Sequence, residues 1–328
     1  MELTGAVARG QHLHIRFWVL SMRFFFGILL SLVCSTSFAT ANIADHVAAI
    51  FNQDFSHVDL ARVMIEAEQI VEPSIDADAL LAEIDQMVSI IRVMLPPNPN
   101  EWDRLETIRR VIYEPGHWNE HRAFGYDHDD PYGQDPRNRL LSDYLEDRRG
   151  NCITMPFLFI ILGQRLGLNV APAMAPLHVY VRFTDSQGDT FNLETTSGAG
   201  LARDAHYREH LPITDAAVAN GVYMVSLSQQ EAMAVIASVV VDDLIDRGEY
   251  AEAIQAADLI LEQYPNFVYL MVKRGTAAYY LLHTEFHANF ATYADVPEDL
   301  RPHLHYLQEI NQTSFDQAEA LGWRPVEF

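Results

Sequence analysis

The stretch Gly150-Asn151-Cys152-Ile153-Thr154-Met155-Pro156, continued by FLFIILGQRLG to Gly167, decides the fold. From Ile153 to Leu166 it is apolar nearly all round until Gln164-Arg165, and periodicity alone does not separate a buried helix from a buried strand. Its length, and Gly167 in the C-cap position, favour the helix. Pro156 sets where that helix begins. Proline has no N–H and clashes with the carbonyl four residues back, so a helix tolerates it only in the first turn. The carbonyl four back belongs to Cys152, which places the thiol at or just before the helix start with Asn151 beside it. There the positive end of the helix and its unsatisfied N–H groups are expected to stabilise a thiolate. The same N–H groups could hold a developing oxyanion.

A reactive thiol needs a base, and the base an orienting group. Downstream, Pro172 and Pro176 punctuate an extended stretch that leads into the strand LHVYVRF (177–183). Asp185-Ser186-Gln187-Gly188-Asp189 reads as a turn and TFNLETT (190–196) as the returning strand. Alternation puts His178, Tyr180 and Arg182 on one face, with Val179, Val181 and Phe183 toward the core. Asn192 and Glu194 share a face of the return strand. A hairpin centred on residue 186 makes His178 and Glu194 direct cross-strand neighbours, about 5 Å apart at Cβ. Glu194 would then fix the imidazole tautomer, with Asn192 as a fallback orienter.

Upstream, apolar residues at helical spacing predict helices over 59–71, 76–94 and 101–113, closed by Pro73, Pro96-Pro97 and Pro115-Gly116 respectively. Residues 114–136 read as a loop and 138–149 as a short helix. After residue 226 the chain reads as helical to its end. Gly248, Tyr250, Ala253, Ile254, Ala257, Ile260, Leu261 and Pro265 fall at tetratricopeptide spacings, with Gly275 at the small position of a degenerate second repeat. This tail reads as a packing or docking module.

The remaining bounds come from composition. The chain has 328 residues, 49% of them apolar, and a formal charge of −23 from 22 Lys plus Arg against 45 Asp plus Glu. Disorder is excluded, and so acidic a chain repels nucleic acid and anionic membrane surfaces. Two cysteines, Cys34 and Cys152, allow neither a disulfide framework nor a zinc cluster. Met22-Arg23, the apolar run FFFGILLSLV (24–33) and Ala39-Thr40-Ala41 follow the order of a secretory signal peptide cleaved after Ala41. Translation from Met22 would give its basic segment a more usual length. Removal of this segment takes Cys34 away, leaves Cys152 as the one thiol, and leaves no integral membrane segment. The expected location is periplasmic or secreted.

A nucleophile in Gly150-Asn151-Cys152 opening a buried helix, His178 starting a strand and Glu194 in the next strand together resemble the transglutaminase-like superfamily. The similarity is strongest over 140–198 (YLEDRRGNC, LGQRLGLNV, PLHVYVRF, FNLETTSG) and resembles a bacterial branch that often carries C-terminal tetratricopeptide helices. The resemblance implies an α+β fold with a papain-like, transglutaminase-like core, a helical lead-in and a tetratricopeptide-like helical tail. The expected divisions are 1–41 (signal peptide), 42–113 (lead-in), 114–225 (core) and 226–328 (tail). It further implies Cys152 as nucleophile, His178 as base and Glu194, in place of the more usual aspartate, as third member. Thioester chemistry follows, with water or an amine as acceptor and with no cofactor or metal; polypeptides or cell-wall peptides are candidate substrates by location, and the tail could dock a protein partner. A second class of reading is a non-catalytic binding or scaffold protein.

Two motifs compete. His117-Trp118-Asn119-Glu120-His121 matches the H-x-x-E-H pattern of inverted zinc proteases, which needs both histidines on one face of a stable helix. Pro115-Gly116 before it and Phe124-Gly125 after it argue against that helix. Asp127, His128, Asp129 and Asp130 could bind a divalent cation, but DHDDPYG reads more plainly as a solvated turn, lining the cleft beside Cys152.

Overall fold

The computed structural model describes residues 42–55, 58–130 and 133–326. The expected signal peptide, with Cys34, lies outside the described residues. The first four helices are α1 (Ile43–Ile50), α2 (Leu60–Val71), α3 (Ala77–Met94) and α4 (Glu101–Tyr113). Each begins at a capping side chain. Asp59 accepts from the Ala61 amide at 3.1 Å, Asp76 from Ala79 at 3.1 Å, and Asn100 forms a reciprocal box with Asp103. Such caps contribute about 1 kcal/mol each. The apolar stripes, including Val63, Met64, Ile84, Ile91, Leu105 and Ile108, are buried as their spacing predicts.

The segment expected as a plain loop contains a 3-10 turn over His117–Asn119 and a two-residue strand, β1 (Gly125–Tyr126), and a second 3-10 turn over Pro136–Arg139 follows at its end. The short helix is α5 (Leu141–Asp147), narrower than the 138–149 expected, because the turn occupies its first part. No side chain at its own start caps α5. Buried Glu68 of α2 does so instead, accepting from the Leu141 and Ser142 amides. Burial pushes this carboxyl up to about 7 despite those two donors. Next comes β2 (Arg149–Gly150), which runs parallel to β1, and then α6 (Thr154–Arg165).

Helix α6 is the centre of the fold. Its residues from Thr154 to Gly163 are all buried, among them Phe157 and Phe159. It stops as Gly167 turns left-handed at φ +76°, with Leu168 N donating to Gly163 O at 2.9 Å and Gly167 N to Gln164 O at 3.0 Å. That pair of bonds is a Schellman closure. Against α6 lies an antiparallel sheet in the order β3 (Val170–Ala175), β4 (His178–Thr184), β5 (Thr190–Glu194), β6 (Gly200–Ala202). The stretch around Pro172 is thus a full strand, not merely an extended lead. It tolerates the proline because β3 is an edge of the sheet. Its outer side is covered by residues 224–227, where Met224 N donates to Met174 O and Leu227 N to Pro172 O, each at 2.9 Å.

Val179, Val181 and Phe183 pack toward α6, as alternation predicts. The opposite face is not solvated throughout. Tyr180 is fully buried there with Ala173, Ala175 and Tyr207, the last from α7 (Asp204–His210). After α8 (Asp215–Ala219), the chain continues as α9 (Gln229–Asp246), α10 (Tyr250–Gln263), α11 (Val268–Leu281) and α12 (Arg301–Ala320). Successive members of this run pack on one another, and α9 also packs on α2. One apolar core runs from Val47 to Ala318, so lead-in, core and tail share a single interior. Among the described residues no helix is long and apolar enough to cross a membrane.

Candidate active site

Cys152 lies two residues before the first residue of α6, with Ile153 at the N-cap and Pro156 third in the helix, where a proline costs nothing. The approach to it is tightly tied. Asn151 Oδ1 accepts from the Ile153 amide at 2.8 Å and the Thr154 amide at 3.4 Å, so it caps the helix over the cysteine. Thr154 Oγ1 accepts from Asn151 N at 3.2 Å and donates to Asn138 O at 3.3 Å. Tyr126 pairs with Gly150, two residues before the cysteine, and burial, followed by the charge of Cys152, raises the phenol's pKa. The loop expected to line the cleft beside Cys152 does adjoin it. Asp127 and Asp130 are bridged by Asn138 Nδ2 at 3.0 and 2.9 Å, which makes them supports of the loop rather than a free acidic turn.

The thiol is partly exposed and lies 3.7 Å from the Leu177 carbonyl, at the turn where β3 returns as β4. His178 follows directly. Its Nε2 meets Glu194 Oε2 at 2.8 Å, which leaves Nδ1 as the nitrogen free to serve Cys152. Burial by itself would pull the imidazole pKa down. The hydrogen bonds and charges of Cys152 and Glu194 outweigh it and raise His178 to about 10. Burial pushes Glu194 the other way, but its bonds to His178, Thr196 and Tyr207 hold it below the ordinary carboxylate range.

The carboxylate is saturated with donors. Besides His178, Glu194 Oε2 accepts from the Tyr207 hydroxyl at 3.0 Å, and Oε1 from Thr196 N at 3.1 Å and Thr196 Oγ1 at 2.6 Å. Burial, and then the charge of Glu194, raise Tyr207 far above a free phenol and keep it a neutral donor. His178 and Glu194 are therefore in contact, but not through the register expected. The pairs are Val181 with Leu193, Arg182 with Asn192 and Phe183 with Phe191, which centre the hairpin on Gln187 instead of residue 186. The cause is the turn, where Asp185 N reaches Asp189 O at 2.9 Å and Gly188 N reaches Asp185 O at 3.0 Å. Continued along the strands, this register sets Glu194 opposite Tyr180, and His178 is its diagonal neighbour. Asn192 is not an orienter of His178, since its amide donates to Asp204 Oδ1 at 2.6 Å.

The H-x-x-E-H stretch forms a 3-10 turn over His117–Asn119, after which Glu120 and His121 are left-handed at φ +56° and +59°. Its two histidines share no helical face. Among the described residues no group of His, Cys, Asp and Glu is arranged to hold a metal ion.

Sequence reasoning missed two neighbours of the site, Thr196 and Tyr207. Thr196 had a local signal, since a hydroxyl two residues after an acidic side chain is a common cap partner. Tyr207 had none, as it arrives through tertiary packing.

A cysteine at a helix start, a histidine opening a strand and a carboxylate holding that histidine are the parts of a nucleophile–base–orienter set. Residues 78–234 match the family model of the transglutaminase-like superfamily. The matched stretch runs from the first turn of α3 into α9 and contains Cys152, His178, Glu194 and the whole sheet; α10, α11 and α12 lie beyond it. No curated protein and no solved structure matches the chain.

Proposed function

We propose that the chain is an exported cysteine enzyme with a papain-like core, which transfers an acyl group through a thioester at Cys152. The observation that carries this reading is the line from sulfur to carboxylate. The Cys152 thiol lies 3.7 Å from the carbonyl of Leu177, the residue directly before His178, and the imidazole Nε2 is 2.8 Å from a partly buried, four-donor carboxylate. A histidine held charged in this way has little use in a packing role.

Cys152 Sγ attacks the carbonyl carbon of a carboxamide in a polypeptide or cell-wall peptide, and its proton rests on His178. The oxyanion is assigned to the Cys152 backbone N–H, because the Asn151 side chain already occupies the amides of Ile153 and Thr154. His178 then gives its proton to the departing nitrogen as the C–N bond breaks, which leaves the thioester. Water or an amine attacks this carbonyl, its proton passes through His178 to sulfur, and the acid or new amide leaves. Glu194 holds the imidazole in one tautomer throughout, and no step requires a metal or organic cofactor.

Export rests on the order of basic, apolar and small segments over 22–41. The α9–α12 run, with Gly248 left-handed at φ +77° between α9 and α10, supports a tetratricopeptide-like docking end for a protein partner. The test is labelling by an acyl-enzyme trap in cell-envelope extract, wild type against Cys152→Ala. A Cys152-dependent adduct is expected. If folded wild type gives none, the acyl-transfer reading is wrong and the chain is a non-catalytic docking protein.

A further inference from the structure

Between nucleophile and base stands a residue that the fold does not need in its present form. Pro176-Leu177 is the two-residue link between Ala175 of β3 and His178 of β4, which are paired across it. Leu177 sits at φ +54°, a conformation that bulky side chains rarely adopt and that glycine adopts freely. Such a strained residue is usually held in place by packing, yet the Leu177 side chain is 55% exposed. Its carbonyl faces Cys152 Sγ at 3.7 Å, a contact that any residue at this position would provide. Strain retained without burial points to use of the side chain itself.

We propose that Leu177 is a specificity-determining residue, an apolar contact that selects acyl donors carrying an apolar side chain next to the reacting carbonyl. The inference rests on Cys152 being the nucleophile and adds the substrate class to that reading. The leucine stands one residue before the base with its carbonyl 3.7 Å from the sulfur, so a substrate held at Cys152 passes close to this turn. A substrate side chain flanking the reacting carbonyl would cover the exposed part of Leu177 and remove both surfaces from water. An acidic side chain there would lose its hydration against leucine and gain nothing in return.

The experiment measures Cys152 labelling in the full chain by two peptidyl acyloxymethyl ketones, one with leucine and one with glutamate beside the ketone. Each rate is divided by the iodoacetamide rate of the same variant, which removes changes in thiol reactivity. Wild type is expected to favour the leucine probe by about tenfold or more, the range of a single apolar contact. Leu177→Gly, which suits the left-handed backbone, and Leu177→Ala should both bring the preference close to unity. A wild-type preference unchanged in both variants, or no preference in wild type, overturns the assignment while leaving the nucleophile in place. Iodoacetamide labelling of wild type with neither ketone reacting would instead remove the acyl-transfer reading, and this proposal with it.

Discussion

Replacing Glu194 by glutamine keeps the side-chain shape, removes the charge and turns one accepting oxygen into a donor. Four donors converge on the carboxylate, two on each oxygen: His178 Nε2 at 2.8 Å and Tyr207 at 3.0 Å on Oε2, Thr196 N at 3.1 Å and Thr196 Oγ1 at 2.6 Å on Oε1. A carboxamide accepts at one oxygen only, so one pair must face its NH2 group. The Thr196 backbone N–H is a fixed donor, whereas the Tyr207 hydroxyl can rotate and the imidazole can change tautomer. The NH2 group therefore turns toward His178. Nε2 then becomes the acceptor, and the proton moves to Nδ1, where it faces the sulfur and cannot receive a proton from it. Hydrogen bonds to a charged group contribute about 1.5–3 kcal/mol each, so disturbing two of them puts about 3–6 kcal/mol at stake. A misplaced general base costs a factor of about 10²–10⁴, or about 2.7–5.4 kcal/mol. The two routes agree. The assay is the rate of Cys152 acylation by an active amide or ester at pH 7, read by intact mass, with a urea midpoint to establish folding. Glu194→Gln is expected to be folded and about 10²–10⁴-fold slower. A folded variant within about threefold of wild type would refute the role given to this carboxylate.

Three further outcomes follow from particular contacts. His178 is raised from 6.5 to about 10, so the folded state binds the extra proton across that window and its contribution to stability is full below 6.5 and lost as pH rises to about 10. Urea midpoints of wild type and His178→Gln should therefore converge over this range, and a constant difference would count against the ion pair. Glu68 is raised from 4.5 to about 7, so its contribution is full below 4.5 and is lost as pH rises through about 7; Glu68→Gln should gain on wild type across that interval, and equal slopes in the two proteins would contradict the shift. In Gly150→Ala the new Cβ would press on the Thr154 hydroxyl and lie 2.6 Å from Tyr144 Cδ2, both buried, so we expect a loss of about 1–3 kcal/mol together with slower Cys152 labelling, and undisturbed melting would show that the turn before the cysteine has slack.

The parts of this fold that were legible in the sequence are those governed by covalent geometry and local hydrogen bonds. Pro156 located the start of α6 and Gly167 its end because both rules act within one helical turn. The caps Asp59, Asp76 and Asn100 act over the same short range, within the first turn of their helices. Strand β3 was harder to read because VAPAMA alternates nothing: five of its six residues are buried, on both faces, and its proline lowers any strand score. Strand β1 and the second apolar cluster were beyond reach. Tyr126 acquires its place only by pairing with Gly150, and Tyr207 only when α7 folds across the sheet.

The hairpin shows why a correct pair can be reached through an incorrect register. Centring the turn on residue 186 set His178 directly across from Glu194, whereas the loop closed between Asp185 and Asp189 centres it on Gln187 and moves every partner by two. A shift of one would have sent Glu194 to the opposite face of the sheet, but a shift of two preserves the face and only stretches the pair along a diagonal. Diagonal neighbours are about 7–8 Å apart, which long side chains can span. Glutamate has one methylene more than the usual aspartate, and here it spans the diagonal to reach 2.8 Å. Strand β5 ends at Glu194, and Thr196 in the 3-10 turn that follows holds the other carboxylate oxygen with its amide and hydroxyl. The departure from aspartate is thus matched by the register: the longer acid spans the diagonal that a hairpin centred on Gln187 imposes.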